Sequence, residues 1–150
     1  TLDFGATRPF DKSFVDSYGR IVRGSLQADR REVAQGVLEI GLMDSNTPQS
    51  FLEGFGDLTE LIVEPFRKPF DPMVSERLYT PGGAYRFGDT DLPARVGQTA
   101  ALKMMSKHFK IPPQEIIFLH RRIGGVLVTL KTLRAELRLH ELLKPYLDLS

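Results

Sequence analysis

The sequence predicts an all-α fold of about six helices with one long irregular loop. Apolar residues recur at three- and four-residue spacing through several separate segments, and alternating apolar–polar runs are almost absent. Asp, Thr and Pro precede the periodic stretches, whereas Gly and Pro concentrate in the single stretch 67–91.

Residues 11–27 read as the first helix. Phe14, Tyr18, Ile21, Val22 and Ser25 share a face, Asp11 caps the first turn, and Phe10 is placed to staple onto Val15. Residues 30–42 read as the second. Asp29 with Glu32 forms a capping box, which stabilises by about 1 kcal/mol, and Val33, Val37 and Ile40 make the buried stripe. Residues 48–66 form a third helix or two short ones. Thr47 caps, Pro48 suits the first helical position, and Phe51, Phe55, Leu58 and Ile62 line one face. Gly54 and Gly56 weaken its middle, and Asp57 with Glu60 can start a second helix there.

Residues 67–91 read as irregular, with one short helical turn near 72–78; a loop of this length in a small domain often has a job. The aromatics Tyr79, Tyr85 and Phe87 either anchor it to the core or form an exposed contact patch. Residues 92–108 are helical, with Asp91 as cap and Pro93 in the first turn. Residues 112–134 form the strongest helix. Pro112-Pro113 opens it, Glu115 lies in its first turn, and Lys131 and Arg134 lie in its last, an order that suits the helix dipole. Its apolar face is Ile116, Ile123, Val126, Leu127, Leu130 and Leu133. Gly124-Gly125 in its middle cost about 1 kcal/mol each, so a close helix–helix contact is expected there to offset them. A last helix covers about 139–147, and the one strand stub expected is at Thr1-Leu2.

The chain's 150 residues suit one domain with a real core. Twenty Lys and Arg nearly balance nineteen Asp and Glu, and a net charge of +1 gives no field that argues for nucleic acid. With no cysteine, disulfides and thiolate metal sites are excluded. No run approaches the roughly 20 apolar residues that span a bilayer. The first residues do not read as a signal peptide, and a chain that starts at Thr1 implies a processing site or an arbitrary cut.

The most specific segment is Leu2-Asp3-Phe4-Gly5-Ala6-Thr7-Arg8. An apolar residue followed by Asp-Phe-Gly is the metal-binding turn of kinases. Its Asp holds the magnesium that bridges nucleotide phosphates, and its Phe packs below. No Ala-Pro-Glu follows, and a helix begins near Lys12, so the usual platform for a peptide substrate is missing. Read with this string, Ile116-Ile117-Phe118-Leu119-His120-Arg121-Arg122-Ile123-Gly124-Gly125 completes a pattern. The sequence resembles the AarF/UbiB atypical kinase-like family, which is linked to ubiquinone biosynthesis.

The resemblance implies that the chain is the helical C-terminal part of a protein-kinase-like large lobe. It would be a single domain over 1–150 that begins at the Asp-Phe-Gly turn. Asp3 would be the magnesium ligand, with Phe4 and Gly5 shaping the cofactor-binding turn; Mg2+ and ATP would be bound by the full-length parent. Arg121 and Arg122 would be structural, in a salt bridge or a carbonyl contact. The other kinase parts lie upstream of the turn in kinase order. No catalytic residue is therefore expected within this chain, and no activity from it alone. Expected partners are the upstream lobe of the same protein, a lipid or quinone-pathway partner, and a second copy through exposed apolar surface. The expected location is cytoplasmic or peripheral to a membrane. The alternative is a helical interaction module that binds a protein partner or a lipid surface.

Other constellations are weaker. His108, His120 and His140 lack metal-ligand spacing and are expected at the surface. Gly88-Asp89-Thr90-Asp91 offers a carboxylate pair, with Asp91 more simply a cap; Thr80-Pro81-Gly82-Gly83 lacks the Lys-Ser/Thr of a phosphate loop and reads as a turn. Ser13, Ser17 and Ser25 have no His–Asp context for a hydrolase triad.

Overall fold

In the computed structural model, which describes residues 9–147, the chain is built on an α-helical hairpin. Helix α1 (Lys12–Leu26) and helix α2 (Arg30–Ile40) pack closely over most of their length. Gly36 permits this: a Cβ there would lie 2.6 Å from Ile21 Cγ1 and 3.1 Å from the Ser17 carbonyl. Gly41, at φ 85°, closes α2 in the left-handed conformation that glycine adopts without strain.

Half of the expected capping box forms. The Asp29 carboxylate accepts from the Arg31 and Glu32 amides at 3.1 and 3.2 Å. The Glu32 carboxylate pairs instead with Arg20, at 2.8 Å, because a guanidinium on the facing helix is a better partner than the Asp29 amide, which bonds the Gly24 carbonyl. Asp11 stands at the N-cap of α1 without a side-chain bond, and Phe10 stacks on Phe14, at 5.2 Å between centroids, while Val15 stays exposed.

The third segment is two helices, α3 (Gln49–Gly54) and α4 (Gly56–Ile62), broken at Phe55. Pro48, rather than Thr47, holds the cap position, and the Thr47 hydroxyl is buried without a partner among the described residues. Helix α5 is Leu92–Met104, α6 is Gln114–Thr132 and α7 is Leu139–Leu147. The expected helical fold therefore holds. The one sheet among the described residues pairs β1 (Tyr85–Arg86) with β2 (Glu136–Leu137), antiparallel, in the register Tyr85 to Leu137. The stub expected at Thr1-Leu2 lies outside the described residues.

Two apolar clusters fill the interior. The first joins α1 to α4 through Ile21, Val33, Val37, Leu52, Phe55 and Leu58, and reaches Ile116 on α6. The second gathers Val74, Leu78, Tyr79, Tyr85 and Phe87 against Leu127 and Leu130 of α6. The long loop is thus anchored by its aromatics; Tyr85 and Phe87 are each 1% exposed. Its helical turn falls at Glu76–Leu78, and Thr80 to Gly83 closes a turn through the Gly83 amide and Thr80 carbonyl, at 2.9 Å.

Helix α6 bridges the two clusters, and Gly124-Gly125 sits between them. A Cβ at either glycine would meet nothing within 4 Å, so the close helix contact expected there is absent among the described residues. Val126 and Leu133, expected on the buried face, are exposed.

These environments separate two glycine substitutions. Gly36→Ala should lower stability by about 1–3 kcal/mol, because neither the backbone of α1 nor Ile21 can yield freely. Gly125→Ala should raise it by about 1 kcal/mol through helix propensity alone. Urea unfolding of the two variants checks both signs.

Candidate functional site: an apolar cleft with a basic rim

The Asp3-Phe4-Gly5 turn, with Asp3 as the expected metal ligand, lies outside the described residues. Among the described residues no three His, Asp or Glu side chains form a group that could hold a metal ion. The Asp89–Asp91 pair is committed elsewhere. Asp89 pairs with Arg134 at 3.0 Å, and Asp91 accepts from Arg95 Nε at 2.7 Å. Asp91 holds the N-cap position of α5 but gives no capping bond, because the guanidinium one turn along claims its carboxylate; the cap is Thr90, whose Oγ1 accepts from the Leu92 amide at 3.1 Å. The described residues alone therefore do not fit magnesium.

What they hold instead is a buried polar network behind the long loop. Glu64, 4% exposed, follows α4 and receives a two-pronged bond from Arg95 of α5, at 2.8 and 2.9 Å. The Tyr85 hydroxyl donates to Glu64 at 2.9 Å and lies 2.8 Å from the Thr90 hydroxyl; Lys131 of α6 donates to the Thr90 carbonyl. Arg95 is held more firmly in its charged form by the Glu64 bond, and burial pushes the Tyr85 hydroxyl well above its ordinary range.

On the opposite side of α4, a cleft of about 450 Å³ opens between α1, α4, α5 and α6. Its walls are apolar, with Ile21, Phe55, Leu58, Ile62, Ile116 and Ile117 among them. Such a volume and lining are those of binding clefts in general. The hydroxyls of Ser25 and Thr59 on its walls are bonded to the Ile21 and Gly56 carbonyls, so they offer little to a polar guest. The polar groups collect at Tyr18, Lys103, His120 and Arg121.

Tyr18 and His120 join α1 to α6 beside this cleft. The hydroxyl lies 3.0 Å from Nε2, to which it donates when the ring carries its proton on Nδ1. Desolvation pushes Tyr18 up to about 12 and, although His120 keeps much of its surface exposed, the ring face set against Tyr18 is desolvated enough to hold His120 below its ordinary value of 6.5. None of the three histidines is buried, in line with the surface positions expected, but each has a neighbour: His120 is set against Tyr18, His108 leans on Phe51, and His140 Nδ1 lies 3.0 Å from the Phe66 carbonyl. Arg122 sits over the Phe118 ring at 5.9 Å. Arg121 makes no hydrogen bond or ion pair with any described residue, contrary to the structural role expected for it.

One signal was hidden by the balanced total charge. Residues 92–135 hold eight Lys and Arg against a single acid, Glu115. The same stretch carries most of the exposed large apolar side chains, including Leu102, Met105, Ile111, Val126 and Val128. Charge counted by segment rather than over the chain would have found it. No helix among the described residues is long and apolar enough to cross a membrane.

The comparisons with known proteins agree with the motif. No family model matches the chain. It is similar to proteins described as atypical kinases: 28% identical over 151 residues to the mitochondrial atypical kinase COQ8 of Schizosaccharomyces pombe, covering 98% of this chain. It is 25% identical over 141 residues to the mitochondrial atypical kinase COQ8B of Rattus norvegicus, covering 94% of this chain. A probable serine/threonine-protein kinase, abkA of Dictyostelium discoideum, matches at 24% over 136 residues, 91% of this chain. The chain spans only 23%, 24% and 23% of the lengths of these three relatives. The resemblance to the AarF/UbiB atypical kinase-like family is thereby borne out.

The Tyr18–His120 pair makes stability depend on pH. The folded protein resists protonating His120, whereas the unfolded chain takes up that proton near 6.5. His120 therefore contributes its stability above about pH 6.5 and loses it as the pH falls through its lower folded value. Unfolding midpoints measured between about pH 7.5 and 5 should fall more steeply in the natural protein than in His120→Gln.

Proposed function

We propose that the chain is the C-terminal helical portion of an ATP- and magnesium-binding atypical kinase-like protein linked to ubiquinone and isoprenoid lipid metabolism, and that it is inactive in isolation. The observation that carries this reading is the Leu2-to-Arg8 string at the head of a chain that aligns over nearly all its length with proteins described as atypical kinases. On this reading Asp3 contributes a magnesium ligand, while Phe4 and Gly5 shape the turn that presents it. Magnesium, when bound, screens the charge of the nucleotide phosphates. The residues of this chain supply the rigid body behind that turn. The remaining groups come from the preceding lobe of the same protein.

Thermal unfolding with and without magnesium and ATP tests this. The 150-residue chain should show no shift, and a protein extended upstream should be stabilised by about 2.7 kcal/mol at a hundred times the dissociation constant. Asp3→Asn should remove that gain. An extended protein that ignores magnesium and ATP would sink the proposal.

A second reading is favoured by the charge asymmetry of residues 92–135. Lys107, Lys110, Arg121 and Arg122 are exposed in the stretch that also exposes Leu102, Met105 and Ile111, and together they offer a surface suited to an anionic lipid headgroup layer, on which the protein would sit peripherally. Co-sedimentation with vesicles that contain an anionic phospholipid should detect binding that weakens at high salt. Ile111→Asp combined with Lys107→Glu should abolish it. Equal binding to neutral vesicles, or none to either kind, would rule the reading out.

A further inference from the structure

We infer that the outer surface where the long loop meets the end of α6 is an anion site for a phosphate monoester, gripped between the guanidinium groups of Arg86 and Arg134, with the Asp89 carboxylate as its internal competitor. None of these side chains lines the cleft, and none belongs to the motif string on which the kinase-like reading rests.

Four cations reach the Asp89-Thr90 dipeptide. Arg77 donates to the Asp89 carbonyl at 3.1 Å, and Lys131 donates to the Thr90 carbonyl. Arg134 Nη2 donates to Asp89 Oδ1 at 3.0 Å, and Arg86 Nη1 stands 3.9 Å from Asp89 Oδ2. Against them Asp89 brings one carboxylate. Asp91 is taken by Arg95, and Glu136, opposite Arg86 in the strand register, makes no ion pair with it among the described residues. Cations gathered in excess of their counter-charges raise the local potential and favour an added anion.

Two features have no account in internal pairing. The Arg86 Nε is buried without a hydrogen-bond partner among the described residues, and the contact of Arg86 with Asp89 is too long for a hydrogen bond. A buried donor left unmet is costly, and it calls for an acceptor from outside. Arg134 follows α6 at φ 52°, a place that glycine usually fills. The carbonyls it could cap are already bonded: the Arg134 and Ala135 amides take Lys131 and Leu130, at 3.0 and 2.9 Å. Its guanidinium is therefore held in a strained turn without being needed there, and it is aimed at the loop. A Cβ at residue 88 would lie 2.9 Å from Arg134 Cβ and 3.1 Å from its Cζ, so Gly88 leaves the path along which Arg134 reaches Asp89.

The geometry selects the ligand. The planar Asp89 carboxylate bonds Arg134 and falls short of Arg86. A phosphate monoester carries close to two charges and three acceptor oxygens at neutral pH, so it can take both guanidinium groups at once. A diester has one charge and matches them less well. The Arg134 side chain is 70% exposed, so the phosphate is what the site recognises and the rest of the molecule stays in water. A dissolved ester and the monoester headgroup of phosphatidate offer the same chemistry.

The test follows the Nε–H signals of Arg86 and Arg134 by NMR in the isotope-labelled 150-residue chain, titrated with methyl phosphate at constant ionic strength. Both signals should move to saturation, and dimethyl phosphate should move them far less. Asp89→Asn should tighten binding by about tenfold, because the competing charge is gone. Arg134→Gly should abolish the response at Arg86 without lowering the unfolding midpoint, since glycine relaxes the turn. Phosphatidylcholine vesicles with and without phosphatidate identify the source. A response to phosphatidate alone marks a lipid headgroup, and a response to methyl phosphate marks a dissolved ester. Signals that move no further with either monoester than with chloride would overturn the inference. So would binding that weakens in Asp89→Asn, or an Arg134→Gly variant that melts earlier while Arg86 still responds, which marks Arg134 as purely structural.

Discussion

The buried carboxylate of Glu64 is the constraint on which the rest of the structure depends. A carboxylate taken out of water is costly unless it is paired and its lone pairs are bonded. Arg95 supplies the fork and Tyr85 the third donor, so α4, the long loop and α5 must meet at one place. Thr90 extends the network. Its hydroxyl caps α5, and its carbonyl takes Lys131 from α6. The first apolar cluster and the second are therefore joined by polar contacts that tolerate little displacement. Apolar packing fills each side, while the network sets how the two sides are placed.

This arrangement gives the molecule two unlike faces. Behind the long loop, charge is internally matched and aromatic rings are sealed from water. On the far side of α4, the cleft is lined by apolar side chains, and α5 and α6 expose Leu102, Met104, Ile117 and Val126. Exposed apolar surface of that kind marks an interface. On the function proposed above, the matched side would hold the body together and the open side would be left for a partner.

Much of this was legible where the signal is local. Helix α2 follows from Asp29 and from Val33, Val37 and Ile40, all set within one short segment. The extent of α6 follows from its period and its flanking prolines. Its surroundings do not. The open space beside Gly124-Gly125 depends on what packs across from them, which helical propensity does not encode. Thr90 displaced Asp91 as the cap because Arg95, one turn along, competes for the Asp91 carboxylate. The loop 67–91 read as irregular because its order is long-range: Tyr85 bonds Glu64 and pairs with Leu137, neither of them close in sequence. For the candidate site, the motif string spoke for kinase-like chemistry, but the cleft is assembled from four helices and has no sequence signature. The basic stretch was present in the sequence and disappeared only when charge was summed over the whole chain.

Differential scanning calorimetry of Glu64→Gln tests most directly whether one buried ion pair holds the two clusters as a unit. Substitution leaves Arg95 half-buried beside Asp91 alone, a loss on the order of 3–5 kcal/mol for a broken buried pair. The natural protein should unfold in one transition. Glu64→Gln should unfold in two, with the cluster around Tyr85 and Phe87 melting first and the α1–α2 hairpin later. A single transition in the variant, shifted by only a degree or two, would contradict the central place given to Glu64.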